Sequence, residues 1–198
     1  MYTLLKPLIV REELLKRNLR VFTPEEFTRI FHTNLYSTKY FLTTQVENGL
    51  FLRLKRGLYV LKTDLPSEEE IANKIYMPSY ISFEYALAYY NRIVEMPYEV
   101  TSATTKSTRL FTTQNRSYAY YSIKKEAYTG YTLVEKDSRH FLIADPEKTV
   151  VDYFYYVTLG KRILNDRFFM DGLDKKKALH YAALYERDSL VKFIESRL

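Results

Sequence analysis

The sequence predicts an α+β fold with two domains, and three observations support this prediction. Two short capped helices come first and a basic β-hairpin follows them. Residues 98–144 then contain short β-prone runs, with helical segments on either side. The capping-box spacing of Ser67 and Glu70, directly after Pro66, marks the start of a second domain. We therefore predict domains over residues 1–65 and 66–198, the second with an antiparallel or mixed sheet and C-terminal helices.

The first helix of the pair is predicted to begin at Pro24. Thr23 and Glu26 have the spacing of a capping box, and Pro24 favours the first helical position. Apolar residues from Phe27 to Phe31 then recur at offsets of three and four. An amphipathic helix precedes the pair, and its predicted inward residues are Leu4, Leu5, Leu8, Ile9, Leu14 and Leu15.

The second helix is predicted to follow Ser37 as its N-cap and to end at Gly49. Phe41, Leu42 and Val46 are its expected buried side. The expected outward residues are Thr38, Lys39, Tyr40, Thr43, Thr44 and Gln45. These hydroxyls, one cation and one amide suit contacts with DNA phosphates and base edges.

A basic hairpin follows this helix. Residues 50–55 alternate in the manner of a strand, Arg56 and Gly57 supply a turn, and a β-prone return strand ends at Leu61. Arg53, Lys55 and Arg56 are its cations. Together the helices and hairpin predict an N-terminal winged helix-turn-helix that binds double-stranded DNA. The alternative is a helical hairpin with a solvated ribbon and no ligand.

The distribution of charge favours the same interpretation. Residues 1–65 contain eleven Lys or Arg and six Asp or Glu, a net charge of +5. Residues 66–198 have a net charge of +1. We therefore expect a polyanionic partner for the first domain.

Capping residues predict the helices of the second domain. Ser82, Asp145 and Asp174 each precede a segment with helical periodicity, and a final helix is predicted from Ser189. Five β-prone runs between Tyr98 and Ala144 predict the strands of the sheet. The chain's twenty tyrosines are expected to fill cores or interfaces, which they do more often than they stack on single-stranded bases.

Several kinds of chemistry are not expected. The chain has no cysteine, so disulfides and thiolate catalysis are excluded and a reducing cytoplasm is the expected location. No stretch approaches the roughly 20 apolar residues of a membrane span. His32, His140 and His180 lie far apart, each glycine stands alone, and no nucleophile is paired with a base. We predict no enzymatic activity, no cofactor and no metal site.

A threonine-rich segment, Thr101–Arg109, is the second candidate site. Its hydroxyls and cations suit an anion, a nucleotide or a nucleic-acid backbone, although threonines also simply favour strands. The candidate contacts are Thr101, Thr104, Thr105, Lys106 and Arg109.

Four motifs occur in a specific order: Arg56–Val60, Pro78–Leu87, Thr101–Arg109 and Ile143–Asp152. In this order and spacing, the segment from about residue 20 to about residue 160 resembles the AbiEi family of antitoxins. Beyond Gly160 the chain shows no signature of that family.

This resemblance implies a role in a bacterial type IV toxin–antitoxin, or abortive-infection, system. Such antitoxins repress their own operon through the winged helix, and their C-terminal domain opposes a nucleotidyltransferase-like toxin without a stable complex. The resemblance implies Lys55 and Arg56 as wing positions, and recognition-helix positions at Thr38, Lys39, Tyr40, Thr43 and Thr44. A protein-interaction or RNA-binding module, with the winged helix as scaffold, is the alternative.

Overall fold

A computed structural model of the chain describes residues 5–113, 116–165 and 167–198. It combines α-helices with two β-sheets, so the predicted α+β class is confirmed. The chain divides into two compact units, Met1–Ile75 and Tyr76–Leu198. The division therefore lies after Ile75 rather than after residue 65, because the helix Glu68–Ile75 belongs to the first unit.

The first unit contains four helices and a small antiparallel sheet within its described residues. Its elements are α1 (Pro7–Lys16), β1 (Val21–Phe22), α2 (Pro24–Phe31), α3 (Leu35–Glu47), β2 (Phe51–Lys55), β3 (Leu58–Leu61) and α4 (Glu68–Ile75). The strand order is β1-β3-β2, with antiparallel pairs. The hairpin β2–β3 was predicted, whereas β1 is too short to show a strand period.

Aromatic rings form much of the core of the first unit. The Phe22 and Phe51 ring centroids lie 5.2 Å apart in an edge-to-face arrangement, and those of Phe27 and Phe41 lie 5.7 Å apart. Such pairs add stabilisation beyond the area that they bury. The capping box of α2 is present as predicted, because Glu26 N donates to Thr23 Oγ1 and Thr23 N donates to Glu26 Oε2.

The predicted buried side of α1 is partly wrong. Val10 and Leu14, one turn apart, are fully buried, whereas Leu8 and Ile9 are exposed. Helix α1 begins at Pro7, and its fully buried residues start at Val10. Leu5 and Leu15 pack partly against the core, and Leu4 lies outside the described residues.

The second unit contains a mixed sheet and, within its described residues, four helices. Its elements are β4 (Ser79–Ile81), α5 (Phe83–Tyr89), β5 (Glu99–Thr104), β6 (Arg109–Thr112), β7 (Ser117–Ser122), β8 (Tyr131–Lys136), β9 (Arg139–Ala144), α6 (Pro146–Thr158), α7 (Lys175–Ala183) and α8 (Asp188–Glu195). The strand order is β6-β7-β5-β4-β9-β8. Pairs β5–β7 and β4–β9 are parallel and the others antiparallel. Five of these strands were predicted, and the three-residue β4 was not.

Helices α5, α6, α7 and α8 contribute to the main core of the second unit. Helix α6 carries much of this core and packs against α5, α7 and α8. Tyr80, Tyr118, Tyr120 and Tyr185 are almost completely buried, so the prediction that tyrosines fill cores is confirmed for these four. Among the described residues, no helix has the length and apolar character to cross a membrane.

Candidate nucleic-acid interface

Helix α3 begins one turn earlier than the sequence predicted. Its N-cap is Asn34, whose Oδ1 accepts a hydrogen bond of 2.8 Å from Ser37 N. Both Asn and Ser have side chains that cap helices well, so residue type alone could not decide between the two positions. The prediction of Ser37 as the cap is therefore wrong, and the helix gains Leu35, Tyr36 and Ser37.

One side of α3 is exposed along its whole length. We call it the α3 face and define it as Tyr36, Lys39, Tyr40, Thr43 and Glu47, which recur at helical spacing. Tyr36 retains 83% of its accessible surface and Tyr40 retains 71%. These exposures are large for aromatic side chains, since a tyrosine gains substantial free energy on burial.

Thr38 does not lie on this face, which corrects the prediction that it points outward. It is fully buried, and its Oγ1 lies 3.0 Å from Thr28 Oγ1 and 2.6 Å from Thr33 Oγ1. Three short hydroxyl side chains thus satisfy one another beside the N-terminal half of α3. The Thr38 side chain therefore acts in packing.

Gln45 is also buried, contrary to prediction. It is 7% exposed and lies one turn beyond Leu42 on the inward side of α3. Its side chain lines a depression together with Pro7 and Arg11, away from the α3 face. Thr44 is half-buried. Of the six helix residues predicted to contact DNA, Lys39, Tyr40 and Thr43 remain on the exposed side.

The hairpin presents two arginines to solvent. Arg53 and Arg56 are exposed, and Gly57 has the left-handed φ of +77° that the tight turn requires. Lys55 is different, because its Nζ donates a hydrogen bond of 2.6 Å to the Ile75 carbonyl at the end of α4. The pairing register shifts between Arg53 and Lys55, so the two side chains do not share one face.

The charge asymmetry predicted from the sequence does not hold at the observed boundary. Residues 1–75 contain twelve Lys or Arg and nine Asp or Glu, a net charge of +3, and the remainder also has +3. The difference comes from three glutamates at the start of α4. On α3 and the hairpin, the exposed cations are Lys39, Arg53 and Arg56.

In the second unit, Thr101 and Thr104 are structural. Thr101 Oγ1 donates to the Ser82 carbonyl at 2.6 Å and accepts from Tyr85 N at 3.0 Å, so it caps α5. Thr104 Oγ1 donates to the Pro78 carbonyl at 2.7 Å. Both threonines are buried, which supports the structural alternative for them. Ser82 was the predicted cap of α5, but its side chain makes no capping bond.

The remaining candidates of this segment are more accessible. Lys106 and Arg109 are exposed, and Thr105 is half-buried. Lys106 Nζ lies 5.4 Å from the centroid of the Tyr76 ring, which is a cation–π distance. The anion-contact hypothesis is therefore reduced to Lys106, Arg109 and Thr105.

A buried polar network lies at the centre of the second unit, and sequence analysis missed it. Asp152 Oδ1 pairs with Lys148 Nζ and accepts from Tyr185 OH at 2.5 Å. Asp152 Oδ2 accepts from Ser82 Oγ at 2.7 Å and from Tyr80 OH at 3.0 Å. Burial lowers the pKa of Lys148, and the Asp152 carboxylate offsets part of that effect. We call these five side chains the Asp152 network, and all five are fully buried.

This network connects segments that are distant in sequence. Tyr80 and Ser82 belong to the second motif of the AbiEi resemblance, and Lys148 and Asp152 belong to the fourth. Thr101, from the third motif, caps α5 beside them. These residues of the motifs thus hold the fold of the second unit, and the buried Asp152 network does not form an open catalytic site.

Within the described residues, no group of three or more His, Cys, Asp or Glu side chains has the arrangement of a metal site. No model of a known protein family matches the chain, and no curated protein matches it either.

Proposed function

We propose that the chain is a DNA-binding transcription regulator whose first unit is a winged helix-turn-helix. Helices α2 and α3 correspond to the helix-turn-helix, and β2–β3 corresponds to the wing. The observation that carries this proposal is the α3 face, which ends just before a hairpin with outward Arg53 and Arg56. Exposed cations beside an exposed polar helix face suit a DNA duplex.

The two parts of this surface have different roles in the proposal. The hairpin arginines and Lys39 bind phosphates, because guanidinium and ammonium groups supply the sequence-independent part of DNA affinity. In this proposal, the rings and the Thr43 hydroxyl of the α3 face, all exposed, contact base edges as the side chains of a recognition helix do. Lys55 stabilises the first unit through Ile75 and is a weaker candidate for phosphate contact.

A mobility-shift titration at several salt concentrations tests this proposal. The probes are the DNA upstream of the gene and a random duplex of equal length. The Arg53→Ala/Arg56→Ala variant should bind both more weakly, and its salt slope should fall by about 0.9 for each lost phosphate contact. A control that removes the same charge from the second unit is Lys125→Ala/Lys176→Ala, since both lysines are exposed there.

Two outcomes would reject parts of the proposal. Full affinity of the Arg53→Ala/Arg56→Ala variant would remove the wing assignment. Equal affinity of the wild-type protein for promoter and random duplex would remove the regulator assignment. Tighter binding to RNA than to either duplex would favour the RNA-binding alternative.

The resemblance to AbiEi antitoxins supports a second half of the proposal. The chain opposes a nucleotidyltransferase-like toxin encoded beside it, and it does so without a stable complex. Co-expression with that toxin tests this half, because growth should be restored by the wild-type chain and by the Arg53→Ala/Arg56→Ala variant alike. Loss of protection in the variant would tie protection to DNA binding, and absence of a toxin gene would remove the antitoxin role.

A further inference from the structure

The α3 face lacks most of the groups that recognise bases by hydrogen bonds. In the major groove, guanine is read mainly by Arg or Lys, adenine by Asn or Gln, and cytosine by Asp or Glu. Thymine differs because it presents the C5-methyl group, an apolar surface. The composition of an exposed helix face therefore limits which bases it can distinguish.

By this criterion, α3 can distinguish few bases through hydrogen bonds. The helix has no arginine, and its one carboxamide, on Gln45, is buried on the opposite side. Asn34 precedes the helix, and its Oδ1 is engaged in the N-cap. Lys39 is the single cation of the helix, and Glu47 lies at its C-terminal end. Besides the Lys39 ammonium, which the proposal assigns to phosphates, the α3 face offers apolar ring surface toward its N-terminal end.

Tyr36 and Tyr40 supply this ring surface. They lie one turn apart on the same side of α3, and both are mostly exposed. Tyr80 and Tyr185 of the second unit, by contrast, are fully buried. Two adjacent exposed rings favour an apolar partner, because burial of an aromatic side chain is strongly favourable. In the major groove, the methyl group of thymine is the apolar partner available.

We infer that Tyr36 and Tyr40 contact thymine methyl groups in the major groove of the operator. This inference rests on the proposed DNA binding and names the base that the site selects. The two residues are separated by about 6 Å along the helix axis. Base pairs rise by about 3.4 Å, so a helix that follows the groove places the two thymines about two base pairs apart.

Replacement of thymine by deoxyuridine tests this inference directly. The change removes the C5-methyl group and leaves Watson–Crick pairing intact. The wild-type protein should bind a deoxyuridine-substituted promoter more weakly, by about fourfold for each contacted methyl group. The Tyr36→Ala/Tyr40→Ala variant should bind the natural promoter more weakly and show no further loss on the substituted duplex. This is a double-mutant cycle between side chain and methyl group.

Two further variants separate reading of the methyl group from other effects. Tyr36→Phe/Tyr40→Phe keeps the rings, so it should retain the dependence on the methyl group. Tyr98→Ala removes a ring that is 65% exposed in the second unit, and it should behave as wild type. Circular dichroism and thermal unfolding should be unchanged for the variants of Tyr36 and Tyr40, because both side chains are exposed.

The outcomes distinguish this inference from the proposed function. If the wild-type protein shows no preference for the promoter, the proposed function fails and the inference fails with it. If the wild-type protein prefers the promoter but binds the deoxyuridine duplex equally well, only the inference is overturned. Equal losses of the Tyr36→Ala/Tyr40→Ala variant on promoter and random duplexes would place the rings on the DNA backbone and would also overturn it.

Discussion

The α3 face and the Asp152 network use similar side chains in opposite environments. On α3, Tyr36, Tyr40 and Lys39 are exposed to water. In the second unit, Tyr80 and Lys148 have the same chemistry but are completely buried. Residue type therefore does not distinguish an exposed helix face from a core, since the same groups occur in both. What distinguishes them is whether the surrounding fold supplies partners for every polar atom.

In the Asp152 network, the fold supplies partners for the buried polar atoms. Each carboxylate oxygen of Asp152 has two partners, and Lys148 contacts both Asp152 and the Tyr185 hydroxyl. A buried ion pair contributes little net stability relative to apolar residues, but loss of one partner is costly. The polar groups of the α3 face need no partner within the protein, because they form hydrogen bonds with water. Substitutions should therefore affect stability in one region and binding in the other.

The largest effect should come from Asp152→Ala. This substitution leaves the Lys148 ammonium buried without its carboxylate and removes an acceptor from two tyrosines and a serine. We expect the free energy of unfolding to fall by about 3–5 kcal/mol, measured by denaturant titration of the full chain.

Two controls sharpen this prediction. The Lys148→Met/Asp152→Leu variant removes both charges and should be more stable than Asp152→Ala alone. Glu186→Ala breaks an ion pair with Lys124 at the surface and should change stability little. An Asp152→Ala protein as stable as wild type would show that the network is not what holds α6 in place.

A matched pair on α3 tests the comparison within one helix. Thr38→Ala removes a buried hydroxyl and leaves Thr28 and Thr33 without its hydrogen bonds, so unfolding should become easier by about 1–3 kcal/mol. Thr43→Ala, on the α3 face, should leave the unfolding midpoint unchanged and alter promoter binding. Equal destabilisation by the two substitutions would contradict the assignment of opposite sides.

Local signals predicted the parts of the fold that depend on a few adjacent residues. Thr23 with Glu26 and Ser67 with Glu70 form capping boxes as expected, and Asp145 caps α6. These hydrogen bonds join residues three apart, so the chain itself brings the partners together. The strands Val21–Phe22 and Ser79–Ile81 escaped prediction because two or three residues cannot show a period.

Tertiary contacts decided what the sequence could not. The burial of Thr38 depends on Thr28 and Thr33, and the burial of Gln45 depends on α1 beside it. Ser82 was predicted as a cap from its position. Its hydroxyl donates instead to Asp152, which lies seventy residues away in sequence. Periodicity within one segment carries no information about such partners.

Glu147, in the first turn of α6, should make a smaller contribution to stability that depends on pH. Burial raises the pKa of Glu147, but hydrogen bonds from Lys177 Nζ at 2.8 Å and Asp174 N at 3.2 Å outweigh it, so the pKa lies below its ordinary value of 4.5. The ionised form is therefore favoured in the folded state. Its stabilisation is complete above about pH 4.5 and is lost as the pH falls through the lowered pKa.

The Glu147→Gln variant tests the direction of this pH dependence. The variant lacks the titrating group, so its free energy of unfolding should depend less steeply on pH below 4.5 than that of the wild-type protein. Unfolding by urea at a series of pH values measures the difference. An unchanged slope in this range would show that Glu147 gains nothing from its partners on folding.

The smallest expected effect concerns the two ends of the α3 face. A recognition helix contacts bases through its N-terminal residues, so Lys39 should lie near phosphates and Glu47 should lie farther away. The two residues are about 12 Å apart along the helix axis, which exceeds the Debye length of about 10 Å at 0.1 M salt. Lys39→Gln should therefore weaken promoter binding clearly, whereas Glu47→Gln should change it less than about twofold.

Lower salt should reveal the residual repulsion from Glu47. At 0.01 M salt the Debye length is about 30 Å, so Glu47→Gln should then bind DNA measurably more tightly than wild type. Fluorescence anisotropy with the same promoter duplex at both salt concentrations measures this difference. If Glu47→Gln tightens binding at 0.1 M salt as much as Lys39→Gln weakens it, the C-terminal end of α3 lies against the phosphates. That result would reverse the orientation proposed for the helix and would move Tyr36 away from the base edges.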